Sequence, residues 1–510
     1  MNIDFYKIDE AHIKVFSTPE IEQEIKEYFT FKAPGYAFHP RFRARMWDGN
    51  VSLYDLRTKT LAIGLYKRLC EFATDNNITL TFRSNEKYSE FDTHDVVPKE
   101  EFEAFVNDLN LWSKSGPITF RDYQFDASYK AITEKKITMT SPTASGKSAI
   151  IYVCIRWILE QDPDSRVILI VPNVQLVNQM MADFKEYSMQ NGFDVDHVCQ
   201  RLYGGQSKDL IKRCLITTWQ SFTKLTKSKD ALNFMKLYRG VIVDECHQSA
   251  AKELQSILSR CTNAQYRIGT SGTVDQSSAA KVNLLQIEGY LGPVHKVITT
   301  KQLMDAGQVS QLKIKALVLK HLPDDCKAMK KIEYADEIAW LVSHTARNEF
   351  LCKVALAAQQ SNGGATLLLV RNRETHAKPL YEKIKAMANC PVYYISGEVS
   401  GEQREIIRNL ANVGTCIIVA TLATMAVGVN IPNIRSIIFG SPSKSMITVL
   451  QSIGRALRLH SEKDCAIVYD IIDDLRYKKR DNYAYTHGVE RLTIYRKERF
   501  DINVKEIALQ

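Results

Sequence analysis

The sequence predicts an α/β chain in which two tandem parallel-sheet domains follow a small α+β N-terminal domain. Three observations predict it. Short apolar runs recur between helical patterns from residue 118 onward, the alternation that builds parallel sheets with helical crossovers. A strand–turn–helix passage over 137–159 carries Ser141-Pro142-Thr143-Ala144-Ser145-Gly146-Lys147-Ser148 at its turn. In both halves, polar residues stand just past the apolar runs, at strand carboxyl ends, where open parallel sheets bind ligands.

The chain has 510 residues, a soft prior for about three or four domains. Hydrophobic residues make up 45% and charged residues 25%, enough apolar material for several cores. The formal net charge of +9 favours a polyanionic partner, although a generic basic surface gives the same sum. The 11 cysteines are odd in number and never spaced C-x-x-C. Cys154, Cys352, Cys416 and Cys465 lie in apolar runs and read as small core residues. Neither a disulfide framework nor a zinc site is indicated, and a reducing, cytoplasmic compartment is expected. The longest membrane-like run, 416–431, is interrupted by Thr421, Thr424, Gly428 and Asn430, which fits a buried strand and loop and no membrane partner.

Residues 1–112 read as the small α+β domain: short alternating strands at 14–16 and 51–54, an acidic helix over 19–28 and a helix-like run over 61–73. Arg41, Arg43 and Arg45 interleave with aromatics up to Trp47, and 35–70 holds seven Lys/Arg against two acids. Such a patch suits phosphate contact plus base stacking; the bland alternative is a basic face over a small aromatic core. The polar run 84–103 reads as loop and linker. The first parallel domain is expected over 113–300. A connection over 301–340 and the second domain extend to 475, and a basic, Tyr-rich tail occupies 476–510.

The turn at 141–148 is built to cradle phosphates: its backbone N–H groups face inward, and the following helix presents its positive end. Lys147 reaches the outer phosphates and Ser148 ligates Mg²⁺. Ser141 stands where the usual pattern opens with glycine. Ahead of it, Arg121 and Gln124 open a helix, and the Gln124 amide can face an adenine edge. At 240–247 an apolar strand delivers Asp244 and Glu245, then Cys246 and His247. Asp244 can share the Mg²⁺ and Glu245 can orient or deprotonate the attacking water, while His247 can couple the site to a neighbouring domain. Ser271-Gly272-Thr273 follows the next strand and can hydrogen-bond the Asp–Glu turn. In the second domain, Arg455 and Arg458 are three apart after Gln451 and Gly454, so on a helix they share a face and can act as arginine fingers. Pro172, Asn173, Thr218 and Gln220 in the first domain follow strand ends. Arg371, Ser396, Gly397 and Thr421 do so in the second, and all eight suit contacts to a nucleic-acid strand.

This order of motifs resembles a superfamily 2 DExH helicase. Arg121 to Gln124 is similar to the Q-motif, 141–148 to motif I, Asp244-Glu245-Cys246-His247 to motif II and Ser271-Gly272-Thr273 to motif III. Residues 421–430 are similar to motif V and 451–458 to motif VI. The passage from Gly35-Tyr36 through Arg41-Phe42-Arg43 to Trp47-Asp48-Gly49 resembles the start of the UvsW-type recombination helicases of T-even-type bacteriophages. The resemblance implies two RecA-like domains, ATP and Mg²⁺ as cofactors, and nucleotide contacts at Gly428 and Asn430. It also implies coupling through Ser271, Thr273, His247 and Gln451, and a DNA helicase remodelling forks, Holliday junctions and R-loops. A monomer is expected. An RNA helicase or the duplex translocase of a restriction system is the rival enzyme, and a nucleotide-gated binding scaffold the non-enzymatic alternative. Glu245 and Arg455 speak against the scaffold, because pure binding needs neither.

Overall fold

Continuous apolar strands set the architecture. Val167 to Val171 is buried at every position, so the strand must be covered on both faces, as parallel sheets are. Its alternate residues feed two separate cores. Val167, Leu169 and Val171 pack with the helices Asp122–Glu134, Lys147–Glu160 and Val174–Tyr187. Ile168 and Ile170 pack with residues of the helices Lys252–Arg260 and Lys281–Leu291.

The computed structural model describes residues 1–91, 97–204, 210–225, 233–247, 252–274, 280–330, 332–422, 431–442, 449, 453–454, 457, 459–460 and 463–509. The chain divides into two compact units, residues 1–141 with 146–297, and 298–510 with the short segment 142–145. Among the described residues no helix is long and apolar enough to cross a membrane.

The first parallel sheet has seven strands in the order Cys199–Leu202, Cys214–Thr218, Arg166–Val171, Tyr238–Asp244, Tyr266–Ser271, Lys136–Thr140 and Val294–Lys296. The second has seven in the order Val392–Ile395, Cys416–Thr421, Ala365–Val370, Ile434–Phe439, Cys465–Asp474, Gln311–Lys320 and Asp501–Ala508. Every pairing in both is parallel, so within each sheet the carboxyl ends share one edge.

Three expectations are corrected here. The stretch 301–340 is not a plain connection, because Gln311–Lys320 lies inside the second sheet between two neighbours. Residues 476–510 are not a tail: the helix Tyr483–Lys497 covers the sheet, and Asp501–Ala508 forms its edge strand against Gln311–Lys320. The 84–103 run ends in a helix, Lys99–Asp108, whose Phe102 and Val106 enter the first core. Charge concealed all three: Lys313 and Lys315 alternate with buried Leu312 and Ile314, and the edge strand is mostly exposed.

The N-terminal domain is a five-stranded mixed sheet with the helices Pro19–Tyr28 and Tyr66–Asp75. The first helix starts where expected, with Pro19 at its first turn, acids following and Lys26 in the last turn, all favourable to the helix dipole. The expected helix over 61–73 begins instead as strand Thr60–Ala62 and a 3₁₀ turn. This domain is fused to the first parallel domain. Leu285 of the helix Lys281–Leu291 belongs to the N-terminal core. Gly64 meets that helix so closely that a Cβ would overlap the Glu288 carbonyl oxygen. Arg68 grips the Glu288 carboxylate at 3.0 Å, and Glu10 joins Lys7 at 2.8 Å to Lys136 at 3.1 Å.

In the second unit, buried Arg347 holds both oxygens of Asp473, at 2.7 and 2.9 Å, and donates to the Gly440 carbonyl at 2.8 Å. Burial raises the Asp473 carboxyl, but Arg347 and His321 outweigh it and hold the group well below the usual carboxylate range. Removing one partner of such a pair leaves a buried charge. Arg347→Leu should therefore cost about 3–5 kcal/mol at neutral pH. A depressed folded value makes the wild-type contribution complete above the unfolded aspartate value of about 3.9 and lost as pH falls below it. Urea unfolding at pH 7 and in acid checks both points: the gap between variant and wild type should shrink in acid.

Candidate nucleotide site and nucleic-acid contacts

The phosphate loop starts where the strand Lys136–Thr140 ends. The Ser141 N–H donates to the Ser271 carbonyl at 2.9 Å, tying the loop to the next strand end. Ala144 and Gly146 take positive φ, 68° and 79°, which turns the chain sharply before the helix Lys147–Glu160. The non-glycine at 144 carries strain of the kind concentrated at functional loops. Inside the loop the Ser145 N–H donates to the Pro142 carbonyl at 3.3 Å, with Thr143 between them. That helix has no acidic side chain in its first turn, so its dipole is left for an anion.

Gln124 is buried rather than exposed. Its Oε1 accepts the Arg121 N–H at 2.9 Å, and its Nε2 lies where a Cβ on Gly146 would stand. Arg121 donates from Nη1 to the Tyr123 hydroxyl at 2.9 Å. The Q-motif-like segment thus braces the loop's glycine.

The charge cluster sits beside the loop. Lys147 Nζ lies 3.5 Å from Glu245 Oε1. Glu245 has φ 51°, a strained turn that swings its carboxylate off the strand axis. Asp244 accepts from Thr270 Oγ1 at 2.8 Å. Ser271 Oγ reaches Glu245 Oε2 at 3.3 Å, the contact between the two turns that the sequence predicts. His247 Nδ1 is 2.9 Å from Ser271 Oγ and 3.2 Å from Glu245 Oε2, and the Thr273 N–H donates to Ser271 Oγ at 3.3 Å. Burial lowers the Lys147 ammonium, but Glu245 and Asp244 outweigh it and hold it above the ordinary lysine range. Burial opposes ionisation of Glu245 as well, yet Lys147 and His247 keep it well below the usual range. Asp244 is raised, first by burial and then by Glu245. Asp244, buried and accepting from the Thr270 hydroxyl, is an oxygen donor of the kind Mg²⁺ takes, and the Ser148 hydroxyl is a donor of the same chemistry.

Ser148 Oγ has a partner that sequence reasoning missed: the Tyr187 hydroxyl, at 2.7 Å, from the end of the helix Val174–Tyr187. Burial pushes the Tyr187 phenol up to about 12, so it stays protonated and available as a donor. No local signal marks a tyrosine 39 residues from its partner. His321, Asp325 and His344 also converge. But His344 Nδ1 accepts the Arg347 N–H as a helix cap, which puts its proton on Nε2, 3.6 Å from Asp325. With its proton there, Nε2 has no lone pair for a metal, so the three side chains as arranged are not a ligand set.

The remaining strand-end residues are on the expected edges. Asn173 caps its helix by accepting from the Leu176 N–H at 3.0 Å, beside Pro172. Thr218 is buried and caps the next helix through the Ser221 N–H at 3.2 Å, and Gln220 is exposed. In the second sheet, Arg371 is exposed at its strand end and Thr421 is buried at its own. The Ser396 and Gly397 carbonyls accept from Arg404, at 3.2 and 3.0 Å. Gly428, Asn430, Gln451, Arg455 and Arg458 lie outside the described residues.

The basic–aromatic segment of the N-terminal domain is a two-turn knob, Tyr36–Phe38 and Pro40–Arg43. Tyr36 packs edge-on against Phe42 and His39 against Trp47, whose Nε1–H donates to the Asn50 carbonyl at 2.8 Å. These aromatics fill the knob. Phe38 and Met46, each 76% exposed, and Arg41, Arg43 and Arg45 face solvent, and Arg43, Arg45 and Met46 line a concavity of about 670 Å³ with Trp47 and Asp48.

A phosphate loop, a paired Asp–Glu on the adjacent strand edge and a second parallel domain in the same chain define an ATP-hydrolysing motor of the helicase class. The family comparisons match three segments: "DNA helicase UvsW, N-terminal" over 2–82, "Type III restriction enzyme, res subunit" over 117–276 and "Helicase conserved C-terminal domain" over 346–460. The ATP-dependent DNA helicase uvsW of Enterobacteria phage T4 is 30% identical over 527 residues, covering all of both chains. The crystal structure of T4 UvsW is similar over all of both chains, with a TM-score of 0.51 and 27% identity. A fragment of an HsdR subunit of a type I restriction enzyme from Vibrio vulnificus shares the fold at 14% identity, with a TM-score of 0.57 over 87% of this chain and 73% of that one. The chain belongs to the UvsW family of ATP-dependent DNA helicases.

The Tyr187 contact is testable. Exchanging a hydrogen bond worth about 1 kcal/mol shifts an equilibrium about fivefold. Tyr187→Phe should lower the Mg²⁺ concentration half-saturating nucleotide binding by about that factor, read with a fluorescent ATP analogue. An unchanged midpoint would mean that the bond survives metal binding.

Proposed function

We propose that this helicase remodels branched DNA, regressing forks, migrating Holliday junctions and unwinding R-loops. What carries the reading is the fusion of the N-terminal domain to the first parallel domain. The exposed arginines of the knob belong to the same compact unit as Lys147 and the Asp–Glu turn, so a junction arm held there is referenced to that half of the motor. Full-length similarity to a DNA helicase supports DNA over RNA.

In the proposed mechanism Lys147 and the loop N–H groups hold the ATP phosphates, and Glu245, kept ionised, orients the attacking water. Ser148 and Asp244 would hold Mg²⁺, which when bound would supply charge neutralisation at the phosphates. Arg455 and Arg458 complete the site by stabilising charge that develops on the transferring group, an effect worth about 10³ to 10⁵ in rate. His247, Ser271 and Thr273, already bonded to Glu245 or to one another, relay its position to the strand-end residues that grip DNA. Gln124 secures the loop, and Gly428, Asn430 and Gln451 add nucleotide contacts and coupling.

ATP turnover measured with single-stranded DNA, duplex, forked DNA, R-loop and RNA in turn tests the substrate. Forked DNA and R-loops should stimulate most; equal or greater stimulation by RNA would discard the DNA assignment. Lys147→Ala should abolish turnover with every nucleic acid. Neutralising Arg41, Arg43 and Arg45 together should flatten the salt dependence of duplex binding by about 0.9 in log–log slope per lost phosphate contact. An unchanged slope would return those arginines to a structural role.

A further inference from the structure

The second parallel domain carries a basic hairpin that no motif accounts for. Arg476-Tyr477-Lys478-Lys479-Arg480 places four cations in five residues directly after the strand Cys465–Asp474. Tyr477 and Arg480 close it by exchanging backbone hydrogen bonds at 3.2 Å, and Lys478 turns the tip with φ 55°. It is anchored from below. Asp474 binds Arg476 at 2.9 Å and Lys320, at the end of the neighbouring strand, at 2.6 Å. The Arg476 guanidinium also lies 3.8 Å over the Tyr485 ring.

The cations therefore fall into two sets. Lys320 and Arg476 are committed to Asp474 and fix the base. Lys478, Lys479 and Arg480 are exposed and have no carboxylate of the described residues within salt-bridge distance. A concavity of about 450 Å³ opens beside them, with Lys320, Arg476, Lys478 and Lys479 outnumbering Asp474 and Asp481 in its lining.

Position gives this charge a use. All strands of the sheet are parallel, so the hairpin leaves the same edge as Arg371. The two are joined by a row of side chains. Arg371 donates to the Tyr334 hydroxyl at 2.8 Å, and the Tyr334 ring packs on Tyr483 and His487 of the helix that follows the hairpin. A small anion would need donors converging on one point. Here the inner cations are already neutralised and the outer ones are spread along an exposed turn, the pattern of a surface for a polyanionic backbone.

We propose that the 476–480 hairpin is a phosphate-backbone clamp for nucleic acid, extending the contact edge beyond Arg371 to a flanking strand or duplex arm. The proposal rests on the DNA-remodelling reading above and adds a site to it.

The test uses the full chain. Lys478→Ala/Lys479→Ala/Arg480→Ala is compared with wild type for binding forked DNA across a salt series. The log–log slope should become shallower by about 0.9 per lost duplex contact, or about 0.7 per single-strand contact. DNA-independent ATP turnover should not change. Lys478→Arg/Lys479→Arg, which keeps the charge, should keep the slope. Lys478→Gln/Lys479→Gln, which spares the Arg480 end of the turn, serves if the triple variant melts lower than wild type. An unchanged slope in a variant that melts like wild type overturns the proposal, including when the hairpin serves an acidic protein instead. If wild type neither binds DNA nor responds to it in ATP turnover, the DNA-remodelling reading fails first, and the two failures are told apart.

Discussion

Two carboxylates buried side by side repel, and one lysine cannot fully satisfy both. That imbalance at Asp244, Glu245 and Lys147 is the constraint on which the site depends. Lys147 and His247 hold Glu245 ionised, while Asp244 is left raised by burial and by its neighbour. The cluster is stable enough to form, yet it is completed only by further positive charge and by phosphate oxygens. The parallel sheet makes this possible, because it brings the loop after 140, the Asp–Glu turn and the Ser-Gly-Thr turn to one edge from strands that are neighbours in space.

The same economy governs the rest of the first unit. The helix Lys281–Leu291 serves two cores at once: Ile287 and Leu291 face the parallel domain and Leu285 faces the N-terminal one. Such sharing leaves little freedom between them, and the Gly64 contact with the Glu288 carbonyl and the ion pairs through Glu288 and Glu10 fix the registry. Tyr36, Phe42 and Trp47 pack within the knob while its arginines and Phe38 face outward, so the segment that reads as interleaved in sequence separates into a packed interior and a largely charged exterior.

Most strands of both parallel sheets were legible because a strand buried on both faces is apolar at nearly every position, as at 167–171 and at 365–370 with Thr366 the exception. Gln311–Lys320 alternates with lysines in its first half and hides among charged stretches, although it pairs on both sides. Asp501–Ala508 is an edge strand, and edge strands keep polar residues on both faces. In the site, the spacing of the loop and the Asp–Glu pair announced their chemistry. Gln124 was singled out for an adenine edge, and the fold instead braces its amide between Arg121 and Gly146.

The sequence by itself determined that a phosphate-loop pattern and an adjacent Asp–Glu pair are present, since each is a matter of local spacing within a few residues. Only the tertiary structure decided that Tyr187 holds Ser148, that the N-terminal domain is fused to the first sheet, and that residues 476–508 belong to the second. Each of these depends on contacts between segments tens to hundreds of residues apart. Such contacts are fixed by packing and strand pairing, which leave no periodic trace along the chain.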